Sequence, residues 1–262
     1  MAEHASEVLL EVRGLTKSFG GVRAVNDLSL SVDAGSVVGL IGPNGAGKST
    51  ALDLISGFQK PDAGQVIFDG REIQALPSYR VSRLGLIRTF QSAREWSRLT
   101  VMDNMLIAAC HHGSDTIWRA LFTRRTLSRI EISDRARARE LLNRFGLFAM
   151  RDEYAGNLSG GQKRLLEFAR IAIARPQMVL LDEPLAGVNP VLQDAILEAV
   201  NHFKHEHITV LIIEHNLPWV EIACDRVIAM AYGTRLATGT MQDLRANQAV
   251  VDAYLGEVAA NG

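Results

Sequence analysis

In the first third of the chain the apolar positions fall in short β-branched runs, Val8 to Val12, Leu28 to Val32 and Val66 to Phe68. Turn-forming residues separate them at Gly20-Gly21, Asp33-Ala34-Gly35 and Asp69-Gly70. Short strands joined by such turns predict an antiparallel layer. Four other runs, Val37 to Ile41, Met178 to Leu181, Ile208 to Ile213 and Arg226 to Ala231, are apolar almost without interruption. Continuous runs of that length suit strands covered on both faces, so these four predict a parallel sheet.

Between Gln91 and Asn157 the spacing becomes helical, with Leu127, Ile130 and Ile132, then Leu141, Leu142 and Phe145, in a stretch rich in arginine and alanine. Within it, His111 to Arg129 is polar and irregular and reads as an exposed turn or short helix. Thr240 to Tyr254 reads as one or two short helices. The organisation predicted is a single α/β domain over residues 7–262. Its core is formed by residues 7–90 and 158–240 and carries the antiparallel layer; a helical subdomain over 91–157 is inserted in it, and a helical tail follows over 241–262.

Composition removes several function classes. The chain has 262 residues, 47% of them hydrophobic, enough for a full core. Its 28 lysines and arginines against 29 acids give a net charge of -1, which offers no bulk attraction to nucleic acid. Cys110 and Cys224 lie far apart and outside any metal-binding spacing, as expected of small apolar residues in a reducing compartment. No signal-like run opens the chain and no stretch reaches about 18 consecutive apolar residues, so a membrane-spanning segment is not expected.

The candidate chemistry begins at the end of the run Val37 to Ile41. There Gly42-Pro43-Asn44-Gly45-Ala46-Gly47-Lys48-Ser49 precedes the helical stretch Thr50 to Ser56. Strand, glycine-rich loop and helix in that order, with lysine and serine after the last glycine, make a P-loop. Its glycines turn backbone N–H groups toward phosphates, the helix start adds a favourable field, Lys48 neutralises the terminal phosphates and Ser49 offers a hydroxyl to Mg2+. An ordinary strand-turn-helix would not require the lysine and hydroxyl. A second buried run ends in Asp182-Glu183, where Asp182 suits the magnesium shell and Glu183 the general base that polarises water. Leu158-Ser159-Gly160-Gly161-Gln162 opens a helix from Lys163 to Ala174 with serine and glycines at the anion-binding end.

With the P-loop, Thr89-Phe90-Gln91 and His215 after Ile208 to Ile213, this set resembles the ABC ATPases over nearly the whole chain. The resemblance implies a P-loop ATPase core and two ATP molecules sandwiched between head-to-tail subunits. The nucleotide would be held by Gly42 to Thr50 of one subunit and Ser159, Gly160, Gly161 and Gln162 of the other. Gln91 would sense magnesium and water, and His215 the γ-phosphate. Phe19 would stack on adenine, with core packing as the rival reading, and Val25 joins the nucleotide-binding set. Where most members carry aspartate, Leu185-Ala186-Gly187-Val188-Asn189-Pro190 has Asn189.

Asn189, the run from Phe19 to Val25, Arg88-Thr89-Phe90-Gln91 and Ala253-Tyr254-Leu255-Gly256 resemble the ATPases of branched-chain amino-acid importers. Relatives of those serve urea or short amides, or lipopolysaccharide export. The implied partners are a second ATPase subunit, integral permease subunits and, indirectly, a solute-binding protein, at the cytoplasmic face of the cell membrane. Phe90, Trp96, Leu99, Val101 and Met105 are either a groove for a permease helix or the core of their own lobe. Three rivals are a soluble ABC ATPase acting on DNA or ribosomes, a GTPase and a non-catalytic subunit. Against them stand the lack of a long coiled coil or paired domains, the lack of an Asn-Lys-x-Asp run, and the intact set Lys48, Gln91, Ser159, Asp182, Glu183 and His215.

Overall fold

A computed structural model of the chain describes residues 7–89, 95–109 and 124–260, and their side chains except at 124–131, 191 and 255–260. Strands β1 (Val8–Phe19) and β2 (Val22–Asp33) form a hairpin about Gly20, and β4 (Ala63–Phe68) and β5 (Arg71–Glu72) complete an antiparallel sheet of order β2-β1-β4-β5. Both hairpin strands run well beyond their apolar cores. Register shifts after Val12 and Leu15 carry β1 through the polar run Thr16-Lys17-Ser18, and Asp62 anchors that run by accepting from Lys17 Nζ at 2.9 Å and Ser18 N–H at 2.7 Å.

The second sheet has the order β10-β9-β3-β8-β7-β6, with β3 (Val37–Ile41), β6 (Leu86–Arg88), β7 (Met178–Asp182), β8 (Thr209–Ile213), β9 (Arg226–Ala231) and β10 (Thr234–Gly239). All neighbours are parallel except β9 and β10. Every residue of β3, β7 and β8 is buried, which is why those runs carry no polar alternation. The sequence pattern missed β6, too short to show a period, and β10, whose positions are half-exposed. In register, Leu40 lies opposite Ile213 and Ile213 opposite Asp182, so three strands end at one level and their following loops leave the same edge.

Contact density divides the described chain into two units, one within Met1–Thr89, Gln177–Ala186 and Val200–Gly262, the other within Phe90–Pro176 and Gly187–Ala199. The first holds both sheets, α1 (Lys48–Ile55), α2 (Ser78–Arg83) and, at its C-terminal end, α7 (Leu217–Ala223), α8 (Met241–Ala246) and α9 (Gln248–Ala260). The second holds α3 (Val101–Ala109), α4 (Arg124–Arg144) and α5 (Gly160–Ala174); α6 (Pro190–His205) begins in it. Helix α5 therefore groups with the helical unit, because it packs on α3 and α4, and not with the core over 158–240 in which the sequence places it.

In the helical unit Leu141, Leu142 and Phe145 are buried as the spacing predicts, whereas Ile132 is 68% exposed and lies off the packed face. Helix begins at Arg124, inside the stretch read as an exposed turn or short helix, and runs on to Arg144. Val101 and Met105 are fully buried, so they pack the unit's own core and line no groove; Trp96 is partly exposed, and Phe90 lies outside the described residues. Trp96 is held from three sides. Asn104, itself fully buried, accepts its N–H at 3.0 Å and donates to its carbonyl at 3.1 Å, and the Arg170 guanidinium sits 4.1 Å from its ring centre. Next to it, Glu95 takes the Lys163 ammonium of α5 at 3.0 Å.

Asn104→Ala leaves the Trp96 N–H and C=O without these partners and should cost about 2 kcal/mol. Urea denaturation followed by tryptophan fluorescence measures it; an unshifted midpoint would show that the clamp contributes nothing.

Candidate functional site

The loop after β3 is shaped by backbone atoms of its neighbours. Gly42 has φ 154 and a side chain there would lie 2.1 Å from the Met230 carbonyl oxygen. Gly47, with φ 94, would put one 2.2 Å from the Ala24 carbonyl oxygen. Neither position admits a Cβ. The loop is tied down by Gly233 N–H, which donates to the Ala46 carbonyl at 3.1 Å, while Asn26 N–H donates to the Gly233 carbonyl at 2.9 Å. Lys48 is buried and its ammonium donates to the carbonyls of Gly42 at 2.7 Å and Pro43 at 2.9 Å. Helix α1 starts at Lys48 with no side-chain cap on Gly47. Ser49 and Asn44 are exposed, Pro43 and Thr50 partly so. A buried cation, a helix start and glycine-shaped amides together form a site for a polyphosphate.

Asp182 closes β7 and is 5% exposed. Its Oδ2 accepts from Arg88 Nη2 at 2.9 Å, and its Oδ1 is buried with no hydrogen-bond partner among the described residues. A buried carboxylate oxygen left open in this way suits a hard cation. Arg88 also donates to Asp53 of α1 at 2.5 Å, with its side chain 6% exposed. One guanidinium thus joins the end of β6, the helix after the loop and the end of β7. In the sequence Arg88 stands only as part of a motif; a strand of three residues shows no period that would single it out, and Asp182 is 94 positions away.

Glu183 follows with φ 48, a left-handed conformation that costs a non-glycine residue about 1 kcal/mol. It is held there by its N–H, which donates to Ile213 at 3.0 Å, and by a turn in which Ala186 N–H donates to the Glu183 carbonyl at 3.0 Å. Across the strand ends, His215 Nε2 lies 3.1 Å from Glu183 Oε1, both side chains partly exposed. Between β8 and His215 stands Glu214, 4% exposed, which the sequence reading left out. Its Oε1 accepts the Leu185 N–H at 2.7 Å and its Oε2 the His215 N–H at 3.0 Å. Burial pushes its carboxyl above the usual range, against these hydrogen bonds. A single acid between β8 and His215 carries no signal of its own in the sequence, because the partner that marks it, Leu185, is distant.

The structure therefore brings Lys48, Ser49, Asp182, Glu183 and His215 into one unit at the ends of aligned strands. Val25 is fully buried in the hydrophobic core. Phe19 is 45% exposed at the hairpin tip, with the Lys17 ammonium 5.7 Å from its ring centre. Gln91 lies outside the described residues.

The Ser159 to Gln162 turn belongs to the helical unit. Ser159 caps α5 through a capping box, its hydroxyl accepting the Gln162 N–H at 3.3 Å while Gln162 Oε1 accepts the Ser159 N–H at 2.8 Å. Gly160 is open, and a side chain on Gly161 would come 2.5 Å from Leu192. In the same unit Asn189 accepts the Leu192 N–H at 2.9 Å at the start of α6. That role suits asparagine as well as aspartate.

Over residues 25–186 the chain matches the family described as ABC transporter, and over 234–260 that of the branched-chain amino acid ATP-binding cassette transporter. It is 40% identical to the high-affinity branched-chain amino acid transport ATP-binding protein BraF of Pseudomonas aeruginosa, covering 96% of this chain and 99% of that one. To the lipopolysaccharide export system ATP-binding protein LptB of Escherichia coli it is 36% identical, over 95% and 97%. Among solved structures it is similar to the ADP conformation of MJ1267, an ATP-binding cassette of an ABC transporter, with TM-score 0.80 and 33% identity over 96% of this chain and 100% of that one.

Arg88→Ala leaves Asp182 buried without its cation and should destabilise the fold by about 3 kcal/mol. Chemical denaturation tests this; a loss within the range of a surface substitution would mean that solvent already compensates the charges.

Proposed function

The chain belongs to the ABC transporter family, and we propose that it is the ATP-binding, ATP-hydrolysing subunit of an importer for branched-chain amino acids. The hydrolytic half of the reading is carried by the 3.1 Å contact between Glu183 and His215 beside the phosphate-shaped loop. The match at residues 234–260 supports the amino-acid half. In this reading the Gly42 to Thr50 backbone cradles the phosphates and Lys48 exchanges its two carbonyl partners for them. Asp182 and Ser49 hold Mg2+, which neutralises phosphate charge when bound. The open Oδ1 of Asp182 and the exposed Ser49 hydroxyl fit that ion.

Glu183 takes a proton from the attacking water, its carboxylate aimed by the left-handed turn and by the His215 ring. His215 orients Glu183 and reaches the γ-phosphate, Gln91 senses the metal and water, and Phe19 stacks on the base. The Ser159 to Gln162 turn serves the nucleotide of a second subunit, so hydrolysis is a property of the head-to-tail pair. The chain works at the cytoplasmic face of a membrane through permease subunits; among the described residues no helix is long and apolar enough to cross a membrane.

Glu183→Gln keeps the shape and removes the base, so phosphate release should fall by at least about a hundredfold while ATP binding persists. Release at the wild-type rate would remove Glu183 from the mechanism. For the cargo, the ATPase activity of the reconstituted transporter should rise with a leucine-loaded binding protein and stay unchanged with lipopolysaccharide. The reverse response would reassign the substrate.

A further inference from the structure

Strands β7 and β8 are held together by their own ladder as far as Asp182 opposite Ile213. The loops carrying Glu183 and His215 begin where that ladder ends. Beyond it they are tied by the Glu183 N–H to the Ile213 carbonyl, by the carboxylate of Glu214, and by the contact between the Glu183 and His215 side chains themselves. Glu214 accepts from its following neighbour, His215, and from Leu185, which lies 29 positions earlier in the turn that starts at Glu183. A carboxylate this deeply buried is tolerable only when N–H donors satisfy it. Here the donors come from both loops.

Leu185 is itself 8% exposed, so its N–H has no easy access to water as an alternative partner. The Glu183 turn also carries the strain of φ 48. Such a conformation persists where surrounding contacts over-determine it. The Leu185 N–H sits two residues beyond the strained one, inside the turn closed by Ala186 N–H.

We propose that Glu214 is a positioning residue for hydrolysis: its buried carboxylate staples the Glu183 turn to the His215 loop and sets the distance between those two side chains. The inference rests on the reading of Glu183 and His215 given above. Glu214 touches no reacting atom in this scheme; it acts through the geometry of the pair.

Two variants of the purified full-length chain separate this from a role in folding alone. Glu214→Asp keeps the charge and withdraws it by one methylene, leaving the neighbouring His215 N–H within reach and releasing Leu185. Glu214→Gln keeps the length and sets an amide NH2 against one of the donors. Both should lower kcat about tenfold with the KM for ATP changed less than about twofold, since the phosphate loop is untouched. In the Glu183→Gln background, Glu214→Asp should cause no further loss, because residues acting as a unit are not additive. An unchanged kcat in Glu214→Asp, a KM that rises as much as kcat falls, or full additivity in the double variant would overturn the proposal. A Glu183→Gln chain as fast as wild type would instead overturn the underlying assignment of the base, an outcome readable apart from the Glu214 variants.

Discussion

The parallel register of β3, β8 and β7 is the constraint on which the rest of the site depends. Because Leu40, Ile213 and Asp182 sit at one level, the phosphate loop, the Asp182-Glu183 pair and the Glu214-His215 pair leave the sheet along one edge. A shift of one strand by two residues would displace its functional groups by about 7 Å and remove them from reach. Every position of the three strands is buried, so each is covered on both faces and their polar groups, Asp182 among them, appear only at the strand ends.

Charge is then placed where this apolar frame ends. Lys48, Arg88, Asp182 and Glu214 are all buried or nearly so, and each is partnered in a different way. Lys48 uses carbonyls of its own loop, Arg88 two carboxylates, Glu214 backbone N–H groups from two loops, and Asp182 keeps one oxygen open. In a medium of low polarizability such groups interact more strongly than in water.

What the sequence disclosed was chemistry packed into contiguous residues. The loop from Gly42 to Ser49, Asp182-Glu183 and Ser159 to Gln162 each announce themselves within eight positions, and the buried strands announce themselves by unbroken apolar runs. What it hid depends on distant partners. Glu214 is one acid among many until Leu185 is placed beside it, and Arg88 closes a strand of three residues that has no readable period. Val25 enters the binding set by motif likeness alone, and its full burial was hard to read because the alternation along β2 breaks between Val25 and Leu28. The membership of α5 in the helical unit was equally illegible, since a helix's own pattern shows that it has an apolar face but not which neighbours cover it.

The walls of the phosphate loop carry one more consequence. At Gly42 and Gly47 the atoms that forbid a side chain are the carbonyl oxygens of Met230 and Ala24, parts of the main chain. When a wall is a side chain, a mutation elsewhere can shrink it and restore space. A wall made of backbone has no smaller version. For these two positions a smaller side chain at 230 or 24 would restore no space, so a substitution at Gly42 or Gly47 cannot be rescued from the residues that wall it in.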